Sequence, residues 1–389
     1  MERSRHTARA EKAFTILGMS LFAFVLVAAL VEVSAFVALR VYRESHRDPL
    51  APQQSPVYDG EGWGREFWAE QTSFWARARS TYQPFTVWGV RKWHGKYINT
   101  DDMELGTWRR TIQSMGQGCS RAKARKVWVF GGSTIFGIGT PDSATIPSYL
   151  SRELNAHSPD CVEVTNLGAE GYVTNQELIL LLQQLKAGHR PDIAVFYDGV
   201  NESLVGGFSP GVPTAHWNFE LIQSKFENPG PSRLSCLRLL YSAQLIGLLM
   251  EKHGPGDGAT PSDGELAGRA QATLQNYEAN LKLVQLLANE YGFKTYFFWQ
   301  PVLAYGNKPL VPFEQKLKEA RSQELNGRVR RGLQAVYEEA ERQSAASHKF
   351  DFLGKIFDEE KDPIYVDEFH LDPRGNEIIA HAIAKTVQF

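Results

Sequence analysis

The chain has 389 residues, 43% of them apolar, and a formal net charge of -2. That length leaves room for one large domain with extensions. Basic and acidic residues nearly balance, and no basic stripe is interleaved with stacking aromatics, so nucleic acid is excluded as an expected partner.

Residues Phe14 to Val31 carry no charge, and the apolar stretch continues past Glu32 through Val33 to Leu39. A helix of that length spans about 30 Å of hydrocarbon, so residues 13–39 read as one uncleaved transmembrane anchor, a signal-anchor. Arg3, Arg5, Arg9 and Lys12 precede it and Arg40, Arg43 and Arg47 follow, a count that tilts the N-terminus toward the cytoplasm. A cleaved signal peptide is the rival, with Val33-Ser34-Ala35 as a small-residue cleavage site, but the stretch exceeds the usual h-region of about 7 to 15 residues. Glu32, near one end, reads as an interfacial or helix-packing carboxylate, or as a group with a function inside the bilayer.

Residues 40–62 are rich in Pro, Gln and Asp and read as a tether. The following extension, 63–125, holds six of the nine tryptophans between Trp63 and Trp108. Such density suits either a sugar-stacking platform or the burial of the extension against a parent domain. The three cysteines, Cys119, Cys161 and Cys236, are too few for a disulfide framework or a four-cysteine metal site. Cys119 precedes one expected strand and Cys161 opens the next, which places both thiols at one end of a parallel sheet. A bridge between them and three separate buried thiols both fit.

From Lys126 the pattern alternates strand and helix. Strands are expected over Lys126 to Phe130, Cys161 to Asn166, Asp192 to Tyr197 and Lys294 to Trp299. Helices are expected over Ala144 to Ala156, Asn175 to Ala187, Gly264 to Glu290, Gln315 to Gln343 and Gly375 to Lys385. Continuous apolar strands between amphipathic helices predict an α/β three-layer sandwich around a five-stranded parallel sheet, over residues 126–389. Insertions at about 203–263, which includes the stretch Gly254 to Gly258, and 300–316 follow strand ends and are expected to rim a substrate site.

In such sheets ligands bind beyond the carboxyl ends of the strands. Ser133, Gly171 and Asn201 all follow expected strands at that edge, and Asp367-Glu368-Phe369-His370 precedes the last helix. Serine needs a neutral imidazole to take its proton, and the imidazole needs an acceptor to orient it. His370 and Asp367 supply the two, while the backbone N–H groups of Ser133 and Gly171 and the amide of Asn201 supply oxyanion donors. A phosphate loop is disfavoured: Gly132-Ser133-Thr134 with Gly137 and Gly139 lacks the following Gly-Lys-Ser/Thr, and Gly-x-Gly-x-x-Gly fails at Asp142. No His-Glu-x-x-His and no carboxylate cluster has metal-ligand spacing, so neither a cofactor nor a metal is expected.

With these blocks in view, residues 126–389 resemble the SGNH, or GDSL-like, hydrolase family in a membrane-anchored bacterial-type form. Phe130-Gly131-Gly132-Ser133-Thr134 resembles the first block, Asn166-Leu167-Gly168-Ala169-Glu170-Gly171 the second, Gly199-Val200-Asn201-Glu202 the third, and Asp367 to His370 the last. The resemblance implies Ser133 as nucleophile, His370 as base, Asp367 as its orienter, and Ser133, Gly171 and Asn201 as the oxyanion hole. Two positions depart from it. Gly132 stands where the family signature has aspartate, and Glu202 where an aspartate often follows the third-block asparagine; neither bears a required catalytic role in the family. Ester hydrolysis through an acyl-serine is implied, on an acylated envelope or extracellular carbohydrate, by a single-pass protein of the inner membrane with its catalytic domain on the periplasmic side. Transfer of the acyl group to a polysaccharide hydroxyl is the alternative, with a membrane acyltransferase or polysaccharide-assembly proteins as partners. A non-catalytic, anchored glycan-binding or assembly subunit is the third reading.

Overall fold

The computed structural model describes residues 2–45, 48, 50–208, 215–227, 240–242, 244–245, 261–323 and 328–389; Cys236 and the stretch Gly254 to Gly258 lie outside them. The chain divides into two compact units, Met1–Pro49 with Glu220–Gly258, and Leu50–Phe219 with Ala259–Phe389.

The first unit is built on one long helix, α1 (Glu2–Ser45). Its segment Phe14–Tyr42, 29 residues, is long and apolar enough to cross a membrane. Glu32 is not left bare on it. Its carboxylate accepts hydrogen bonds from the Tyr241 N–H at 2.7 Å and from the Ser242 N–H and hydroxyl, and the Phe36 and Tyr241 rings meet edge to face.

The second unit opens with α2 (Gly64–Arg77) and two small antiparallel sheets, β1 (Thr81–Gln83) with β2 (Val87–Gly89), and β3 (Trp93–His94), β4 (Asn99–Met103) and β5 (Gly106–Arg109). Then come β6 (Arg125–Gly131), the single-turn α3 (Ser133–Phe136), α4 (Ile146–His157), β7 (Val162–Gly168), α5 (Thr174–Lys186), β8 (Ile193–Asp198) and α6 (Val200–Phe208). The helix α7 (Phe219–Glu227) leaves this unit after its first residue. After it follow α8 (Asp263–Tyr291), β9 (Lys294–Trp299), α9 (Pro312–Gln323), α10 (Arg328–Ser347), β10 (Asp351–Phe352) and α11 (Pro373–Thr386).

Five strands form one parallel sheet in the order β10-β9-β8-β6-β7. Helices cover both of its faces, which is why its central strands read as unbroken apolar runs. Along β6, Trp128 and Phe130 enter the core shared with Leu181 of α5, Tyr277 of α8 and Tyr337 of α10, while Val127 and Val129 enter the core shared with Leu150 of α4 and Ile379 of α11. The fifth strand, only two residues long, carries no period that a sequence pattern can show. The described residues of the helix expected over Gln315 to Gln343 lie in α9 and α10, and residues 324–327 between them lie outside the described ones.

β6 lies between β7 and β8, so the chain leaves it to one side and returns on the other. That reversal is the switch point where open α/β sheets bind ligands, and Ser133 stands two residues beyond the end of β6. A disulfide joins Cys119 to Cys161 across 5.7 Å between Cα atoms. Both residues enter neighbouring parallel strands at the same end, as their spacing anticipated.

The extension packs most of its tryptophans, although Tyr82 and Phe85 are exposed. Phe67, Trp68, Phe74 and Ile98 are buried in a cluster with Phe136, Ile138 and Val366 from around the nucleophile helix, and Trp63, Trp75 and Trp93 pack on it. Arg109 of β5 is wholly buried: its Nε donates to Asp142 at 2.9 Å and its Nη groups to the carbonyls of Phe136, Gly137 and Thr140. A buried charge is tolerated when paired and fully hydrogen-bonded, and this one pins the loop that leaves α3.

Candidate active site

β6 ends at Gly131, and the chain turns at Gly132 into α3, whose first residue is Ser133. Helix starts leave their first N–H groups without intrahelical partners, so the Ser133 N–H is unspent at the switch point. Gly132 is dictated by its neighbour. A Cβ built there would lie 2.3 Å from Asn201 Nδ2, so an aspartate at this position would displace the asparagine amide.

The Ser133 Oγ lies 2.8 Å from His370 Nε2, and His370 Nδ1 lies 2.7 Å from Asp367 Oδ2. The second oxygen of Asp367 accepts the N–H groups of Phe369 and His370, so one carboxylate folds the turn and orients the ring together. A Val366 N–H to His370 O bond of 2.9 Å closes the turn, and Asp372 then caps α11 through the Gly375 N–H. Burial opposes charge on both partners. For His370 the nearby Asp367 charge and hydrogen bond outweigh burial and raise its pKa above the ordinary histidine value; for Asp367 the His370 charge and the bonds from the ring and two backbone N–H groups hold it below the usual carboxylate range. With Asp367 accepting at Nδ1, the neutral ring carries its proton there and presents Nε2 as a base to the serine.

The oxyanion side is assembled from two other strand ends. Gly171 follows β7 with φ +74°, a left-handed conformation that favours glycine, and a Cβ there would also lie 2.9 Å from the Trp217 ring. Its N–H is not consumed by the turn, which is closed by Tyr172 N–H to Ala169 O. Asn201, in the first turn of α6, donates from Nδ2 to Tyr172 O at 2.7 Å and accepts the Trp217 Nε1–H at Oδ1 at 3.1 Å.

Glu202 ties these two loops together. One carboxylate oxygen accepts the Thr174 N–H and hydroxyl, each at 2.8 Å, and the other accepts the Gly199 N–H at 2.9 Å. It is buried, so the loss of an acceptor would leave a donor unpaired. Burial and negative neighbours, Glu202 among them, push the buried Glu177 and Asp198 carboxyls well above the usual range. The sequence marked Glu202 only as a departure from a family pattern, without a role.

The extension grips the same second loop. Glu170 accepts from Trp75 Nε1 at 2.8 Å and Arg79 Nε at 2.6 Å, its carbonyl accepts from Trp88 Nε1 at 2.8 Å, and Tyr172 donates its hydroxyl to Trp88 O. Around the reacting groups lies a cleft of about 650 Å³ lined by Ser133, Gly171, Asn201 and His370 together with Trp88, Trp217 and Phe369. Of the six extension tryptophans Trp88 alone lines it, and the others are used in packing, which matches the burial reading of their density and not the sugar-stacking one. The first insertion contributes Leu204, Trp217 and Asn218 to the cleft. The second does not line it. Gln300, Val302 and Leu303 are buried, and the Leu303 N–H donates to Glu368 O, so this segment supports the histidine turn instead of rimming the site. No set of histidine, cysteine or carboxylate side chains is arranged to hold a metal among the described residues.

No protein-family model matches the chain, and no curated protein matches it by sequence. Solved structures that it resembles include a member of the lipolytic protein G-D-S-L family from Veillonella parvula DSM 2008, at 11% identity and TM-score 0.34, covering 68% of this chain and 98% of that one. An acetylxylan esterase from Geobacillus stearothermophilus, in a catalytic-mutant form, is 13% identical with TM-score 0.35 and 68% and 94% coverage. The lipase/acylhydrolase from Enterococcus faecalis is 14% identical with TM-score 0.33 and 67% and 94% coverage. At such distances the chemistry rests on the site's own geometry.

Proposed function

We propose that this chain is a serine esterase of the SGNH type that removes acyl groups from a carbohydrate through an acyl-serine intermediate. The observation that carries this reading is the continuous relay from Ser133 Oγ through His370 to Asp367, beside unspent donors at Ser133 and Gly171 and the Asn201 amide. His370 Nε2 takes the Ser133 proton as Oγ attacks the ester carbonyl, and the three donors hold the resulting oxyanion. Collapse breaks the bond to the alcohol, which leaves with the proton from His370. Water, deprotonated by the same ring, then releases the acid and restores Ser133.

The rings of Trp88, Trp217 and Phe369 in the cleft support a carbohydrate, because sugars present apolar faces to aromatic rings. The same rings favour a second reading, in which a bound sugar hydroxyl replaces water and gains the advantage of proximity. The span Phe14–Tyr42 supports a membrane anchor, and the basic residues Arg3, Arg5, Arg9 and Lys12 ahead of it favour the reading of an inner-membrane protein with its catalytic unit on the periplasmic side.

The test uses the full chain in detergent with nitrophenyl acetate and a panel of acetylated glycans. Turnover is expected, with Ser133→Ala abolishing it while circular dichroism stays unchanged. Turnover retained by Ser133→Ala would refute the mechanism. Product masses separate the two acceptors: free acid marks a hydrolase, and acylated sugar formed at its expense marks a transferase.

A further inference from the structure

We propose that Trp217 is a positioning residue of the oxyanion hole, one that fixes which way the Asn201 amide faces. The inference rests on the esterase reading and names a part of that site outside its sequence blocks.

An asparagine amide can be turned end for end at little steric cost, and only one orientation offers N–H to an oxyanion. Here the orientation is set by partners that cannot exchange roles. The indole Nε1 of Trp217 can only donate, so it must face Oδ1, at 3.1 Å; the Tyr172 carbonyl can only accept, so it must face Nδ2, at 2.7 Å. That leaves one Nδ2 hydrogen unspent. Nδ2 itself lies against Gly132, next to the nucleophile. The Trp217 ring also abuts Gly171, so one indole touches both loops that supply donors other than the serine.

Trp217 is itself held in place. Ala215 is buried with Val173 and Val205 while Phe219 packs against them, the His216 ring meets Trp88 edge to face at 5.5 Å, and a Phe219 N–H to His216 O bond closes the turn around the tryptophan. The Trp217 side of the cleft thus joins the extension's Trp88 to the third strand-end loop. Without the indole N–H, the Asn201 carbonyl oxygen loses its donor, and the flipped amide, which would point an oxygen at the oxyanion, gains population.

The test compares steady-state kinetics of full-length Trp217→Phe, Trp217→His, Asn201→Ala and the double variant Trp217→Phe with Asn201→Ala. Phenylalanine keeps a flat ring and removes the donor, so kcat should fall about 10-fold with KM within about 2-fold, a fraction of the loss that follows removal of a whole oxyanion donor. Histidine restores a ring N–H and should recover part of kcat. Because Trp217 acts through Asn201, the double variant should be no slower than Asn201→Ala alone.

Wild-type kcat in Trp217→Phe, a change confined to KM, or additive losses in the double variant would each overturn the inference while leaving the esterase reading intact. Thermal melting provides the control for a merely structural role: equal loss of kcat and of melting temperature in both the phenylalanine and histidine variants also overturns it. Absence of Ser133-dependent turnover in the wild type would take the inference down with the esterase reading.

Discussion

The two sides of this site are constructed on different scales. On the proton-transfer side, Asp367 and His370 are three residues apart, and one carboxylate both folds their turn and orients the imidazole. On the oxyanion side, donors come from three strand ends, and their spacing depends on Glu202, on Trp217 and on contacts from the extension to Glu170. A local device tolerates rearrangement elsewhere in the chain, whereas a distributed one can be loosened from many positions that never touch substrate.

The comparison can be broken most severely at Asp367. Asp367→Asn should lower kcat about 10⁴-fold, because the amide no longer fixes the productive tautomer. The pH profile gives the sign. His370 must be neutral to act, and its pKa is raised above the ordinary value of 6.5, so the acid limb of kcat/KM should lie above pH 6.5 and activity should fall as pH drops through it. In the variant the Asp367 charge is gone and burial is opposed only by the smaller influence of Glu170 and Glu368, so the limb should move down. An acid limb unchanged by the substitution would detach Asp367 from His370.

Asn201→Ala should cost about 10²- to 10³-fold in kcat, roughly 3 to 4 kcal/mol of transition-state stabilisation, with little change in KM. A loss confined to KM would reassign Asn201 to substrate binding. Glu202→Gln probes the frame instead of a donor. Glutamine offers one acceptor oxygen where the carboxylate uses two, so either the Gly199 N–H or the Thr174 pair is left unpaired. About a 10-fold drop in kcat and roughly 1 to 3 kcal/mol of stability should follow, measured by stopped assays and urea unfolding. If kcat is untouched while stability falls, Glu202 supports the fold without tuning the site.

The smallest effect is expected at Arg79→Ala. Its side chain is more than half exposed, a pair with one exposed partner contributes little, and the mostly buried Glu170 carboxylate keeps its bond from Trp75, so stability should change by less than about 1 kcal/mol although the pair with Glu170 measures 2.6 Å. A larger loss in a urea unfolding curve would show that the extension's grip on the second loop is electrostatic, not a matter of tryptophan N–H bonds and packing.

Much of this division was legible beforehand. The apolar runs at β6, β7, β8 and β9, the amphipathic helices between them, and the Gly-Gly-Ser and Asp-x-x-His segments carry their information in local spacing. The N-terminal apolar helix was legible for the same reason, since crossing hydrocarbon is a requirement on length and composition alone. The placement of Cys119 and Cys161 at one end of neighbouring strands was legible too, but it left a bridge and separate thiols both open, and the structure shows the bridge.

What the sequence left undetermined lies in contacts between residues far apart in the chain. Nothing near position 109 announces that its arginine will be buried against the loop leaving the nucleophile, and nothing near 217 announces an indole facing Asn201. The density of tryptophans was visible, but whether they faced a sugar or a core was decided by which side of the extension met α3 and the histidine turn. Glu202 appeared as a mismatch because a carboxylate's role is set by the donors that surround it, and those arrive from Thr174 and Gly199 only when two strand ends are brought together. Sequence by itself therefore fixed the strand ends and the residues presented there, because period and turn chemistry are local. The tertiary structure alone decided how those ends are held in register, because buried hydrogen bonds and packing depend on partners that only folding brings within reach.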